Sequence, residues 1–344
     1  MKKGISKEKY NVAILGATGV VGREMIDILE KRQFPIGELR LFASEKSVGE
    51  EISFCGKSIK VRLASEKEFQ GIDFIMGDTP TEISKKFIPM AVKQGAVAID
   101  CSSAYRMDPK VPLVIPEVNA SAMANHEGII AGPNCSAIPI AVAAKPIDAR
   151  YGIKRMVIAT YQSASGAGKG GMDELADQTR SLFSQQEIIQ KVFPHRLAFN
   201  VIPQIDSFLP NGMTKEEFKI MEELRKILDS PRLGLAVTAV RVPVFCGHSA
   251  AVAIETKEPI DPEEVKKLLQ ESPGIILKDN LQTKEYPLPA EVAGTDAVYV
   301  GRVRRDDSVP NGILLWVVAD NLRKGASLNA VQIAEVLIQQ HRLD

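Results

Sequence analysis

Apolar residues gather first in the short run Tyr10–Leu15 and then recur at Met25, Ile26 and Leu29 on the way to Lys31. A continuous apolar run of this length reads as a buried strand, and recurrence at three and four residues reads as one face of a helix. Between the two lies Gly16-Ala17-Thr18-Gly19-Val20-Val21-Gly22, so the pattern predicts strand, glycine turn and helix. Further apolar runs at residues 39–43, 72–76, 96–100 and 129–131 alternate with helical or loop segments, which implies a mainly parallel, doubly wound sheet. After Ile153 the texture changes. Residues 156–161, 236–245, 250–255, 297–305 and 312–318 read as longer strands rich in valine and threonine, with helical segments at 172–190, 215–228 and 262–270 between them. This second part is expected to be an α+β domain, and the amphipathic stretch from 326 predicts a closing helix.

Length fits that division, since 344 residues are too many for one ordinary core. The expected domains are a Rossmann-type nucleotide-binding unit over 1–131, with the helix 326–344 packing back on it, and a catalytic and dimerisation unit over 132–325. Lysine plus arginine equals aspartate plus glutamate at 43 each, without long runs of one sign, so charge recommends neither nucleic acid nor a membrane surface and points to a small-molecule partner. The N-terminus lacks the apolar stretch of a signal peptide, and no segment offers about 18 uninterrupted apolar residues. A cytoplasmic protein is expected. Cys55, Cys101, Cys135 and Cys246 show no CxxC spacing, which argues against structural zinc and a disulfide framework.

The glycine segment is a GxxGxxG variant of the dinucleotide fingerprint: Gly16 permits the tight turn, and the later glycines permit close approach of pyrophosphate and of helix to strand. Pyrophosphate would then meet the unpaired N–H groups and positive dipole end of the helix. Where an NAD site usually carries an acidic residue, this chain reads Ala43-Ser44-Glu45-Lys46-Ser47. The hydroxyls of Ser44 and Ser47 and the charge of Lys46 favour the 2′-phosphate of NADP, and Glu45 opposes it unless its carboxylate points to solvent.

Cys135 follows an apolar strand and Gly132-Pro133-Asn134 and precedes a helical stretch over 137–149, the place where a helix dipole stabilises a thiolate. It is the candidate nucleophile, with Cys246 as rival; Cys55 and Cys101 read as small buried apolar residues. His248, after a glycine at the junction of two β-rich runs, is the candidate acid and base, able to take a thiol proton and return it. Arg106, Arg241 and Lys219 are candidate anion clamps. Gln162 precedes a glycine-rich loop over 163–171, which reads as a close backbone approach to the cofactor, with Gln162 orienting the substrate or thioester.

Taken together, GATGVVG (16–22), SSAYR (102–106), GPNCS (132–136), TYQSASGAGKGGMDEL (160–175), NVIPQIDSF (200–208), TKEEFK (214–219), RVPVFCGHS (241–249) and DNLRKGASLNAVQIAE (320–335) resemble, in order and over nearly the whole chain, the bacterial aspartate-semialdehyde dehydrogenase family. The resemblance implies reversible conversion of L-aspartate 4-semialdehyde, phosphate and NADP to 4-phospho-L-aspartate and NADPH, on the route to lysine, threonine and methionine. It implies Cys135 as thioester nucleophile, His248 as acid/base, Gln162 and Arg241 on the amino-acid part, and Glu216 on its ammonium. Arg106, Asn134 and Lys219 would bind phosphate. Thr18, Gly19, Val20, Val21, Ser44, Ser165, Gly166 and Asn321 would line the cofactor, and a homodimer or homotetramer is implied. Gly132, Gly170 and Ala250 depart from the family pattern, and Ala250 stands where a glutamate near His248 is common. The rival readings are an N-acetyl-glutamyl-phosphate reductase-like enzyme, with the same chemistry on an acylated substrate, and a non-catalytic NADP-binding sensor, which has no need of Cys135 and His248 together.

Overall fold

The computed structural model describes residues 7–342, with side chains up to residue 340. These residues divide into two compact units: one runs up to Pro133 and resumes at Ala326, and the other spans Asn134–Gly325.

In the first unit, β1 (Tyr10–Leu15) enters the glycine turn and α1 (Val20–Lys31) leaves it. There follow β2 (Ile36–Phe42), β3 (Glu51–Phe54), β4 (Lys57–Arg62), β5 (Phe74–Gly77), α2 (Thr81–Lys93), β6 (Val97–Asp100), the single-turn α3 (Pro116–Asn119) and β7 (Ile129–Ala131). The sheet order is β3-β4-β2-β1-β5-β6-β7, parallel throughout except for the β3–β4 pair. Side chains alternate across a strand, and both faces of this sheet are buried. Val12 and Ile14 join an apolar cluster with Met25, Ile28 and Leu29 of α1 and with Leu328, Val331 and Leu337 of the last helix. Ala13 and Leu15, one residue out of phase, join another with Ile88 and Ala91 of α2. Doubly wound packing is therefore the direct result of central strand segments apolar at successive positions, as in Val12–Leu15 of β1.

The β3–β4 hairpin was not expected. Its two-residue turn, Cys55-Gly56, has φ of 48° and 73°, the all-positive geometry that suits the twist of a tight hairpin. The turn leaves Cys55 exposed, against the expectation of burial.

In the second unit, α4 (Ala137–Tyr151), β8 (Ile153–Gln162), α5 (Gly168–Phe183), α6 (Lys215–Ile227), β9 (Gly234–Arg241), β10 (His248–Thr256), α7 (Pro262–Glu271), β11 (Ile275–Leu277), α8 (Pro289–Val292), β12 (Val298–Asp306) and β13 (Gly312–Ala319) follow in order. The mixed sheet runs β11-β12-β13-β10-β8-β9. One face packs on α4, α6 and α7. The other leaves Val157 and Tyr161 of β8 exposed, with the Tyr161 ring 5.4 Å from that of Trp316. The last helix, α9 (Leu328–Arg342), belongs to the first unit, and residues 343 and 344 of the expected helix lie outside the described residues.

Several boundaries differ from expectation. The strand expected to reach 245 stops at Arg241, ahead of Pro243, which has no N–H to give a ladder. The following strand starts two residues early, at His248. The helix expected over 172–190 runs from Gly168 to Phe183. It starts among glycines because Gly171 has no room for a side chain: a Cβ there would lie 2.6 Å from the Ala164 carbonyl and 3.1 Å from Phe193 Cζ. Residues past its end are held instead by the buried Glu174 carboxylate, which accepts the N–H groups of Lys191 (2.8 Å), Val192 (2.5 Å) and Phe193 (3.4 Å).

Candidate active site

The first unit supplies an anion cradle. Gly16 has φ of +85°, the Gly19 N–H donates to the Gly16 carbonyl at 3.0 Å, and a Cβ on Gly22 would lie 2.2 Å from that same oxygen. Only glycines close this turn. α1 starts at Val20 and Val21 with Gly19 as its N-cap, has no side-chain cap bond and no acidic residue in its first turn, so its leading N–H groups are left for a ligand. Thr18 Oγ1 donates to Ser47 Oγ at 3.3 Å, which brings the segment after β2 to the glycine turn. Ser44 and Lys46 are exposed there, and Glu45 is exposed as well. The cradle fits a dinucleotide, and the exposed serine and lysine fit its 2′-phosphate.

Arg106, in the same unit, is anchored through Nε to the Gly132 carbonyl (2.9 Å) and through Nη2 to the Cys101 carbonyl (2.6 Å). Nearby, the buried Asp100 carboxylate accepts from Ser84 Oγ (3.0 Å) and Ser102 Oγ (2.7 Å). Burial raises its pKa despite these bonds and the Arg106 charge. Cys101 is buried and its thiol is pushed up by desolvation, an inert cysteine as expected.

In the second unit, strand register gathers the site. β8 and β9 are parallel and end together with Gln162 opposite Arg241. β10 is antiparallel to β8 and β13, so its first residue, His248, arrives at that same end and faces Ala319, just before Asp320 and Asn321. Cys135 and Ser136 lead into α4 with Asn134 as anchor: its Oδ1 accepts the Ser136 N–H (2.8 Å) and its Nδ2 donates to Glu216 Oε1 (2.8 Å). The Asn134 N–H is taken by Glu223 at 2.5 Å. Asn134, expected on phosphate, holds the loop that carries Cys135 through these bonds. Glu216 also accepts from Gln162 Nε2 at 3.3 Å. Lys219 Nζ pairs with Asp206 at 2.7 Å and stands 3.9 Å from Glu216.

Arg241 is buried, donates through Nη1 to the Ser163 carbonyl (2.7 Å) and lies 5.8 Å from the Phe193 ring centre. Desolvation lowers its pKa, while Cys135 and Glu216 pull the other way. It lines a cavity of about 190 Å³ with Ala167, Phe193, Gln204 and Asp206. Gly166 is required by closeness: a Cβ there would lie 2.8 Å from Arg241 Nη1 and 3.2 Å from His248 Nε2. Gly325 sits equally close to the nucleophile, 3.1 Å from Cys135 Cβ by the same construction.

His248 is 2% exposed, and burial first, then Arg241, holds its pKa well below the ordinary 6.5. Its Nδ1 accepts the Ser163 N–H (3.1 Å) and lies 3.0 Å from Ser163 Oγ. Ser163, Ser165 and the Gly247 N–H converge on Asn321 Oδ1 at 3.1, 3.0 and 3.0 Å. Ser165 and Asn321, expected on the cofactor, also form part of the bed beneath His248. Cys246, the rival nucleophile, has its thiol pushed up to about 11 by burial and Asp320, which leaves it protonated at neutral pH. Ser163 and Glu223 had no sequence signal, because each acts through a partner about 85 to 90 positions away.

Residues 11–126 match the semialdehyde dehydrogenase NAD binding domain and residues 144–324 the semialdehyde dehydrogenase dimerisation domain. The chain is 49% identical to an aspartate-semialdehyde dehydrogenase of Rickettsia conorii, covering 97% of this chain and 99% of that one. It is 48% identical to that of Aquifex aeolicus, covering 96% and 98%. The crystal structure of aspartate semialdehyde dehydrogenase II from Vibrio cholerae, complexed with ASA, superposes with a TM-score of 0.94 at 47% identity, covering 97% of this chain and 99% of that one. These matches over nearly the whole length show that the chain belongs to the aspartate-semialdehyde dehydrogenase family of NAD(P)-dependent oxidoreductases.

Proposed function

We propose that the chain reduces 4-phospho-L-aspartate to L-aspartate 4-semialdehyde and phosphate, reversibly and with NADPH, through a thioester on Cys135, in the cytoplasm on the route to lysine, threonine and methionine. The observation that carries this reading is the convergence of Gln162, Arg241 and His248 at one end of the second sheet, with Gly166 packed against both Arg241 and His248 and Gly325 against Cys135. Arg241 and Gln162 hold the substrate carboxylate and orient its acyl group, and Glu216 takes the ammonium. That carboxylate has no use for an acetylated nitrogen, which opposes the N-acetyl-glutamyl-phosphate reading. Cys135 thiolate adds to the acyl carbon, and phosphate leaves, with Arg106 and Lys219 assigned to it. The resulting thioester accepts a hydride far more readily than a carboxylate does, and the bound dinucleotide supplies that hydride. Gly16, Thr18, Gly19, Val20, Val21, Ser44 and Ser47 are assigned to holding it, with Ser165, Gly166 and Asn321 toward its reactive end. The exposed apolar face of β8 supports a homodimer through the second unit.

The test is to trap the acyl-enzyme. Incubation with 4-phospho-L-aspartate without NADPH should release phosphate once per active site and leave an aspartyl adduct on the Cys135 peptide in mass spectrometry. An adduct on Cys246, or none with intact protein, would remove the proposal.

A further inference from the structure

Helix α6 buries an apolar stripe of Ile220, Leu224 and Ile227, and three glutamates, Glu216, Glu217 and Glu223, are buried beside it. A carboxylate taken out of water is costly unless hydrogen bonds replace the water, and each of the three has a definite partner. Glu217 closes the helix's own start, accepting the Thr214 N–H at 2.7 Å, and reaches the Ala239 N–H of β9 at 3.0 Å. The other two meet on one residue. Glu223, 1% exposed, accepts the Asn134 backbone N–H at 2.5 Å, and Glu216 accepts from Asn134 Nδ2 at 2.8 Å. Residues seven apart lie on one helix face, two turns and about 10.5 Å from each other along the axis. Asn134 is therefore gripped at its backbone from one turn of α6 and at its side chain from another.

Asn134 passes this grip to the nucleophile. Its Oδ1 accepts the N–H groups of Ser136 at 2.8 Å and Ala137 at 3.4 Å, and its carbonyl accepts the Ile138 N–H at 3.1 Å. Cys135 thus stands between two peptide N–H groups, those of Asn134 and Ser136, whose bonds both trace back to α6. On its other side the chain is closed by Gly325, where a Cβ would lie 3.1 Å from Cys135 Cβ and 3.2 Å from the Cys135 carbonyl oxygen.

Resting on the thioester reading above, we propose that Glu223 is a positioning residue of the reaction. Its hold on the Asn134 N–H sets the place of Cys135 relative to Glu216 and Lys219, the groups of the same helix assigned to the substrate ammonium and to phosphate. An apolar residue at 223 would extend the stripe of Ile220, Leu224 and Ile227, so the carboxylate there answers to the cysteine loop and not to the core. The sulfur has to arrive about 3–3.5 Å from the acyl carbon, and a misplacement of about 1 Å costs on the order of 10²-fold in rate. A helix with every backbone bond made holds such a distance better than a loop does, and Glu223 ties the loop to the helix.

The test separates the number of competent sites from their rate. On mixing with 4-phospho-L-aspartate without NADPH, the amplitude of phosphate release counts the sites and its rate constant reads attack by Cys135. Glu223→Leu, of similar volume but with no acceptor, should lower that rate constant about 10- to 100-fold at saturating substrate. Hydrogen–deuterium exchange at the peptide N–H groups of Asn134 and Ser136 should become faster in the same variant. Glu223→Gln, whose amide oxygen accepts the same N–H, should return the rate constant to within about threefold of wild type. A merely structural role would lower the amplitude and the melting temperature and leave the remaining sites at the wild-type rate constant. That result overturns the proposal, as does a Glu223→Gln variant as slow as Glu223→Leu. If Glu223→Leu does not fold, Glu223→Asp, which withdraws the acceptor by one carbon–carbon bond of about 1.5 Å, is read in the same way. Slower release with faster exchange upholds the role, and wild-type release overturns it. Absence of phosphate release from the wild-type protein would sink the thioester reading and this role with it, whereas unchanged exchange in Glu223→Leu would sink the role alone.

Discussion

Replacing Gly166 with alanine adds one carbon at the most crowded point of the site. The new Cβ would lie 2.8 Å from Arg241 Nη1, about 0.6 Å short of the 3.4 Å at which ordinary contact begins, and 3.2 Å from His248 Nε2 and Cε1. The Arg241 guanidinium cannot yield freely, because Nη1 is held to the Ser163 carbonyl at 2.7 Å and the side chain is 6% exposed. A retreat of that size in a substrate clamp approaches the misplacement of about 1 Å that costs on the order of 10²-fold, so kcat/KM should fall about 10- to 100-fold, equivalent to about 1.4 to 2.7 kcal/mol. Gly166 does not use positive φ, so its backbone tolerates alanine and stability should change by no more than about 1 kcal/mol. Steady-state NADP reduction with L-aspartate 4-semialdehyde and phosphate gives the first number and urea unfolding the second. Wild-type kcat/KM in the variant would refute the close approach, and a loss of activity matched by unfolding would refute its local origin.

Gly22→Ala, whose Cβ would lie 2.2 Å from the Gly16 carbonyl, should weaken NADPH binding by about tenfold or more and destabilise the protein by about 1–3 kcal/mol, checked by titration calorimetry and denaturation. Ser44→Asp should raise the KM for NADP and move preference toward NAD, because a carboxylate repels the 2′-phosphate but accepts from the ribose hydroxyl. Glu174→Ala leaves the buried N–H groups of residues 191–193 unpaired and should cost about 2–3 kcal/mol, with faster amide exchange confined at first to that segment. His248 remains neutral in the folded state well below the ordinary 6.5, so the unfolded chain binds the extra proton. Stability should be intact above pH 6.5 and fall below it by up to about 1.4 kcal/mol per pH unit from this group, a slope that His248→Gln should remove.

The parts of the fold legible in the sequence are those governed by local periodicity. β1, the glycine turn and α1 follow from a buried strand, residues that permit tight closure and a 3.6-residue face, and Cys135 was visible because a strand and Gly-Pro lead into a helix there. The β3–β4 hairpin was missed because Glu-Ile-Ser-Phe alternates over only four residues and its turn is Cys-Gly in place of the usual Asn-Gly. α5 was placed four residues late because glycine disfavours helix, and only the packing of Gly171 against Ala164 and Phe193 shows why it is there. Asn134 and Asn321 illustrate a different limit. The bonds that occupy them come from Glu216, Glu223, Ser165 and Gly247, and no spacing along the chain reveals such partners.

The most direct measurement is phosphate-dependent reduction of NADP by the purified protein with L-aspartate 4-semialdehyde, run beside Cys135→Ala and beside N-acetyl-glutamate semialdehyde. The account predicts turnover that requires phosphate, disappears in the variant and is absent with the acetylated aldehyde. Turnover that survives in Cys135→Ala, or NADPH binding without turnover of either aldehyde, would contradict it.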